Sequence, residues 1–136
     1  MSTISDTAQA FFDACETGKG WKICRSFCTM DATCSAQSEA LARNSTLAQY
    51  TGWMKGLLTM LPDGRCHLKS FAIDPARNHV LAYGIFSGTH TGPSGPVPLT
   101  GKTASADYVY VMKFTGGEIS HMTKTWHWII TLQQLG

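Results

Sequence analysis

Charged residues are scarce in this chain of 136 residues. Only 15% are Asp, Glu, Lys or Arg, whereas 43% are hydrophobic, which favours one folded domain with a real core over disorder. The formal net charge is +2 and the basic residues form no run, so nothing indicates a nucleic-acid partner. No apolar stretch approaches the ~20 residues that span a bilayer, and we expect no membrane partner either.

Familiar catalytic and cofactor motifs are also missing. The sequence contains no GxxxxGK[ST], GxGxxG, HExxH or GxSxG pattern, so it gives no sign of a phosphate loop, a dinucleotide site, a zinc protease or a nucleophile elbow. The five cysteines are odd in number and no export signal is visible, which predicts reduced thiols in a cytoplasmic protein. The spacing of Cys24, Cys28 and Cys34 does not match zinc-binding pairs.

The first half of the chain has the periodicity of helices. Apolar residues recur at helical spacing in a first helix capped by Ser5 and running to about Glu16, and again in a helix that opens at Ser45 or Thr46. A short helix over about 21–28 and a brief strand over 32–36 lie between them.

The second half has the composition of strands. Four segments are rich in β-branched and aromatic residues and are separated by turn residues: CHLKSFAID, VLAYGIFSGTH, ADYVYVMKF and EISHMTKTWHWII. Helices followed by strands predict an α+β fold, in which helices pack on one face of a strongly bent antiparallel sheet.

Polar residues on the last predicted strand are candidates for chemistry. Alternation places His121, Thr123 and His127 on one face and Lys124 and Trp126 on the other, and leaves open which face looks inward. His121 and His127 could form an acid–base pair or could simply be hydrogen-bonded sheet residues.

Two further charged residues are candidates for proton transfer. A buried Lys124 could serve as a base or as an imine-forming amine. Asp107 is the only carboxylate between Asp74 and Glu118, and a carboxyl group in a dry pocket suits general acid or base chemistry. A solvated structural role is the alternative for both.

Aromatic side chains could line a cavity for a planar ligand, although such a stripe could equally cover a core. The candidate ligand-binding residues are Tyr50, Trp53, Met54, His90, Tyr108, His121, Thr123 and Trp126. A metal site formed by His90, His121 and His127 lacks a closely spaced ligand pair, so we expect no metal.

Several short strings resemble a known family. They are SGTHTG at 87–92, PLTGK at 98–102, MKFTGGEI at 112–119 and LQQLG at 132–136. With the order of elements, they make most of the chain similar to the SnoaL-like polyketide cyclases of the nuclear transport factor 2-like superfamily. This resemblance implies one domain over 1–136, a cone-shaped, cystatin-like α+β barrel with helices on its concave face, and a homodimer.

The resemblance also implies ring closure by aldol chemistry without metal or cofactor, with an acidic residue on the final strand. No Asp or Glu follows Glu118, and the corresponding stretch offers Lys124 and His127. We therefore expect a cofactor-independent cyclase, isomerase or lyase that transfers a proton on a ketone- or polyketide-like ligand. His127 or Lys124 would replace the carboxylate, with Asp107 as second candidate and Tyr110 as oxyanion donor. The alternative is a non-catalytic ligand-binding or structural homodimer of the same fold.

Overall fold

The computed structural model describes residues 3–37, 41–42, 44–91, 101–126 and 133–134. In the described part, two helices precede the first strand, and four of the five strands follow the third helix. The elements are α1 (Ile4–Glu16), α2 (Trp21–Cys24), a 3₁₀ turn (Arg25–Phe27), β1 (Cys28–Ala36), α3 (Leu47–Met60), β2 (Arg65–Asp74), β3 (His79–Thr89), β4 (Thr103–Thr115) and β5 (Glu118–Trp126).

Capping boxes start both long helices. At α1 the Thr3 hydroxyl accepts from the Asp6 amide at 3.1 Å, and the Asp6 carboxylate accepts from the Thr3 amide at 3.3 Å. The predicted cap at Ser5 was therefore two residues late. At α3 the predicted cap Thr46 is confirmed, and Gln49 completes its box. The short helix ends earlier than predicted, at Cys24, because the chain tightens there into the 3₁₀ turn.

The five strands form one curved sheet in the order β1-β5-β4-β3-β2. Strands β2 to β5 pair antiparallel as predicted, with turns at 75–78 and 116–117. The predicted all-antiparallel sheet is wrong at one edge, where β1 runs parallel to β5. Strand β1 is also longer than the predicted 32–36. A register shift between Cys28 and Thr33 interrupts its alternation, so the first part of the strand lacks the sequence pattern of a strand.

The helices cover one face of the sheet and enclose the core. The buried side chains of α1 and α3 include Ala8, Phe11, Phe12, Tyr50 and Met54, which lie on the apolar stripes that the sequence predicts. Alternation along β4, and along β5 from Met122 onward, sends every second side chain toward these helices. Within the ranges described, no helix is both long and apolar enough to cross a membrane.

Gly84 lets the sheet accommodate a large side chain from the neighbouring strand. It pairs with Tyr108 across β3 and β4. A Cβ atom at this position would overlap the carbonyl oxygen of His67 and approach the Tyr108 hydroxyl to 2.6 Å. We infer that glycine is required here by close approach, since its φ angle is not positive.

We therefore expect Gly84→Ala to destabilise the protein by roughly 1–3 kcal/mol, because the overlap involves a backbone atom that cannot rotate away. The matched control is Gly56→Ala in α3, where a Cβ meets no atom within 4 Å. Alanine at this position should raise the free energy of unfolding by roughly 0.5–1 kcal/mol. Urea unfolding followed by circular dichroism measures both changes. Equal midpoints for Gly84→Ala and the unchanged protein would contradict this account of the strand packing.

Candidate functional site

Lys124 lies inside the protein. It is on the inner face of β5, opposite Tyr110 of β4, and only 5% of its surface is exposed. Its alternating neighbours Met122 and Trp126 are buried as well. The structure thus places the Lys124 face of the last strand toward the helices, which the sequence left open.

A chain of hydrogen bonds links Lys124 to two tyrosines. The Lys124 Nζ donates to the Tyr50 hydroxyl at 2.8 Å, and that hydroxyl shares a short hydrogen bond with the Tyr110 hydroxyl. Burial, followed by nearby acidic and thiol groups such as Glu16, raises the pKa of Tyr50 well above its ordinary value. At neutral pH Tyr50 therefore stays protonated and remains a hydrogen-bonding group.

Five aromatic rings surround the Lys124 Nζ. Its distances to the ring centroids are 5.1 Å for Tyr50 and Tyr110, 5.2 Å for Trp126, 5.9 Å for Trp53 and 6.0 Å for Tyr108. The negative faces of such rings attract a cation, and this attraction is larger where water is excluded. The rings therefore offset part of the cost of removing an ammonium group from water.

A buried carboxyl group also belongs to this interior. Glu16 ends α1 and is 4% exposed, and its oxygens make no hydrogen bond of normal geometry, although the Cys66 thiol lies beside them as a weak partner. Burial raises the pKa of Glu16, while the positive charge of Lys124 and, more weakly, the Cys66 thiol act to lower it. Our sequence reasoning missed Glu16, although its helical spacing from Phe12 and Ala8 places it on the apolar stripe of the helix.

Tyr108 and Cys66 complete the polar groups of the interior. The Tyr108 hydroxyl is buried without a hydrogen-bond partner. Burial, and then the Cys66 thiol, raises the pKa of Tyr108, and burial likewise raises the pKa of Cys66. Buried polar atoms in native proteins are almost always satisfied by protein, water or ligand. The Cys66 thiol lies beside both the Tyr108 hydroxyl and the Glu16 carboxyl group and is the weak hydrogen-bonding partner that the chain itself offers them.

Most of the predicted aromatic lining converges on this interior. Trp53 is half-buried, stacks on Tyr50 at 6.3 Å between centroids and meets Trp126 edge-on at 5.8 Å. The Met54 sulfur lies 4.0 Å from the Tyr50 hydroxyl. The predicted residues that the structure brings together are Lys124, Tyr110, Tyr50, Trp53, Met54, Tyr108 and Trp126.

Other predicted residues lie on the opposite face of the sheet. Asp107 is exposed and accepts a hydrogen bond from the Tyr83 hydroxyl at 3.1 Å, so it does not face a dry pocket. His121 hydrogen-bonds Thr33 at 2.6 Å and Ser35 at 3.0 Å, and Ser35 also bonds Thr123 at 3.2 Å. The reason is alternation: placing Tyr108, Tyr110 and Lys124 inward turns Asp107, His121 and Thr123 outward.

The structure does not bring the predicted residue His90 to this site. His90 is buried just beyond the end of β3, and Ala82, the β3 residue that pairs with Tyr110, is roughly 25 Å away along an extended strand. His127 lies outside the described residues. Across the ranges described, no three His, Cys, Asp or Glu side chains are arranged to hold a metal ion. A separate surface hollow of about 450 Å³ between α1 and the β4–β5 turn contains none of the predicted site residues.

Comparison with known proteins identifies a family. The family model described as SnoaL-like polyketide cyclase matches residues 6–135. Among curated proteins, no sequence matches the chain significantly.

Solved structures share the fold at low sequence identity. A candidate SnoaL-like polyketide cyclase from Jannaschia sp. CCS1 has 16% identity and a TM-score of 0.80, over 97% of this chain and 90% of that one. IdmH, a candidate polyketide cyclase from Streptomyces antibioticus, has 19% identity and a TM-score of 0.80, over 99% of each chain. AclR, a candidate hydroxylase from Streptomyces galilaeus, has 19% identity and a TM-score of 0.72, over 96% of this chain and 97% of that one.

The raised pKa of Glu16 predicts a pH-dependent effect of Glu16→Gln on stability. A carboxyl group whose pKa is higher in the folded state stabilises the fold most below its ordinary pKa of about 4.3 and loses that contribution as the pH rises through the folded value. Near pH 4 the variant and the unchanged protein should therefore melt together. By pH 8 the variant should melt higher, by roughly 3–5 °C, equivalent to about 1 kcal/mol.

Thermal melts across this pH range test the prediction, with Asp13→Asn, an exposed acidic residue of the same helix, as the control. A Glu16→Gln variant that becomes progressively less stable than the unchanged protein as the pH rises would contradict it. That result would mean that Lys124 stabilises an ionised Glu16 by more than burial costs.

Proposed function

The chain belongs to the SnoaL-like polyketide cyclase family, and on that premise we propose that it binds a small ketone- or polyketide-like ligand between its helices and sheet and transfers a proton on it. The reaction class is that of a cyclase or isomerase, and the protein itself supplies every group that the proposal uses. The relatives described as candidate polyketide cyclases support this ligand class.

The observation that carries the proposal is the buried chain from Lys124 through Tyr50 to Tyr110. When a proton leaves the carbon next to a carbonyl group, negative charge develops on the carbonyl oxygen. Fixed donors in a water-poor site stabilise such an oxyanion strongly. An ammonium group has three donors, and the Lys124 Nζ uses one of them on Tyr50, which leaves donors for a ligand.

The aromatic composition of this interior supports an apolar, cyclic ligand. Tyr50, Trp53, Tyr108 and Trp126 present ring faces or edges around the ammonium group, and flat rings offer large contact areas to planar molecules. Small-molecule sites usually combine a few polar groups with many apolar ones. Trp53 is the half-buried member, so it lies where the site approaches solvent.

We expect β-tetralone, an enolisable bicyclic ketone, to raise the melting temperature of the protein. A ligand at 100 times its Kd stabilises a fold by ~2.7 kcal/mol, a shift of roughly 6–10 °C for a domain of this size. The shift should be lost in Lys124→Met, which keeps the volume of the side chain and removes its donors. It should persist in Lys69→Met, a change of an exposed lysine on β2.

Two outcomes would count against the proposal. If neither β-tetralone nor any of a panel of anthraquinones and steroids raises the melting temperature of the unchanged protein, the proposed ligand class is wrong. An equal rise in the melting temperature of Lys124→Met would show that Lys124 does not contact the ligand.

A non-catalytic binder is the rival function, and it is favoured by the observation that the Lys124 ammonium group itself lies among the five rings. Binding without any proton exchange on the ketone would support that rival.

We also propose that the protein is a homodimer that packs through the outer face of its sheet. The centre of this face is apolar, and it exposes 37% of Leu81 and 39% of Tyr83 beside the half-buried Val109 and Val111. Contiguous exposed apolar surface of this kind commonly marks an interface.

Charge placement along β4 supports a second copy of the chain as the partner. Asp107 and Lys113 are exposed on this face, equally far from Tyr110 along the strand. Suppose that two copies pack sheet to sheet about a two-fold axis that runs between the sheets, perpendicular to β4 and level with Tyr110. Asp107 of one copy would then face Lys113 of the other. Self-complementary pairing of this type is the signature of a two-fold interface.

Light scattering should therefore give the mass of a dimer for the unchanged protein and of a monomer for Leu81→Lys, which places a charge in the apolar centre. Met30→Lys, at a β1 residue that is 98% exposed, should remain dimeric. Circular dichroism confirms that each variant is folded. A monomeric unchanged protein would overturn the dimer and leave the ligand proposal intact.

A further inference from the structure

We propose that Glu16 is the catalytic base of this site, the group that takes the proton from the ligand carbon while Lys124 and Tyr50 hold the developing oxyanion. This inference rests on the proposed function. Asp107, the second candidate from the sequence, lies on the outer face of the sheet. Among the described residues, Glu16 is the only buried carboxyl group.

The contacts of Glu16 do not explain its burial structurally. Buried carboxylates that serve the fold are normally paired or hydrogen-bonded, because an unpaired one costs several kcal/mol of stability. Both Glu16 oxygens are buried with no hydrogen bond of normal geometry, no direct ion pair joins Glu16 to Lys124, and the Cys66 thiol is only a weak partner. Buried groups that are so weakly satisfied call for an explanation, and groups with perturbed pKa values are concentrated at functional sites.

The electrostatic surroundings of Glu16 suit a group that must both accept and return a proton. Burial favours its neutral form and the positive charge of Lys124 favours its ionised form, so neither state is fixed. The pKa values of Cys66 and Tyr108 are raised by burial. Both groups therefore remain neutral donors beside Glu16 and add no competing negative charge.

The proton transfer balances within the ligand and the chain. The C–H bond next to the ligand carbonyl breaks, and its proton goes to a Glu16 carboxylate oxygen. The electron pair of the C–H bond forms a new carbon–carbon double bond, and the π pair of the carbonyl group moves onto its oxygen, which accepts hydrogen bonds from the Lys124 Nζ and a tyrosine hydroxyl. Return of a proton from Glu16 to the same or another carbon completes exchange or isomerisation.

The test is exchange of the α-protons of β-tetralone in deuterated water, followed by proton NMR and corrected for the reaction without protein. Glu16→Gln should lower the exchange rate by roughly 10²–10⁴-fold, the usual contribution of a general base, while the thermal shift produced by β-tetralone persists. Glu16→Asp, which shortens the side chain by one methylene, should retain part of the rate and the same rise of rate with pH. Asp13→Asn on the exposed side of α1 should exchange at the unchanged rate.

Each other outcome has a definite meaning. Exchange in Glu16→Gln at the unchanged rate, or β-tetralone binding with no exchange in the unchanged protein, would overturn the role of Glu16 and leave ligand binding standing. Loss of both the thermal shift and the exchange in Glu16→Gln would make Glu16 a binding group and would also overturn it as base. Failure of the unchanged protein to bind β-tetralone or any panel ketone would overturn the proposed function, and the role of Glu16 with it.

Discussion

The hydrogen bond from the Lys124 ammonium to the Tyr50 hydroxyl joins the sheet to α3 in the middle of the core. An ammonium group without compensating interactions is too costly to bury, so the surrounding elements must provide polar or aromatic groups that stabilise its charge. Helix α3 supplies Tyr50 and Trp53, β4 supplies Tyr108 and Tyr110, and α1 supplies the carboxyl group of Glu16. A buried charge of this kind is weak evidence for stability, because apolar residues of equal volume commonly do as well. Stability alone therefore does not account for a lysine at this position.

The sheet makes this convergence possible through two simple constraints. Alternation along β4 and β5 sends Tyr108, Tyr110 and Lys124 to the same face, and the β4–β5 register places Tyr110 opposite Lys124. On the other side of β4, the missing side chain of Gly84 leaves space for the Tyr108 hydroxyl. Substitutions in the strands can thus alter the site without touching any of its charged groups.

The sequence was sufficient for the main elements of the fold. Ala8, Phe11 and Phe12 mark the buried face of α1, and the turn residues between strands place the hairpins correctly. The parallel pairing of β1 with β5 was not predictable in the same way. It depends on how a distant strand returns to the sheet edge, and local periodicity contains no information on that.

The candidate site was predictable only in part, for a related reason. Alternation shows which residues of a strand share a face, but the face that is buried depends on packing, and residues of both faces, His121 and Thr123 as well as Lys124, therefore remained candidates. Asp107 was the second candidate for proton transfer because it is the only carboxylate between Asp74 and Glu118. Glu16 was missed because a charged residue at a helix end usually faces solvent. Its helical spacing from Phe12 was the available signal.

A crystal structure of the protein with bound β-tetralone would show whether this interior is a ligand site. We expect the ketone between the helices and the sheet, with its oxygen about 2.7–3.1 Å from a donor of the Lys124–Tyr50–Tyr110 chain and its α-carbon facing the Glu16 carboxyl group. Density for the ketone at any other place, with these side chains packed against one another as before, would contradict the claim that this interior is a ligand site.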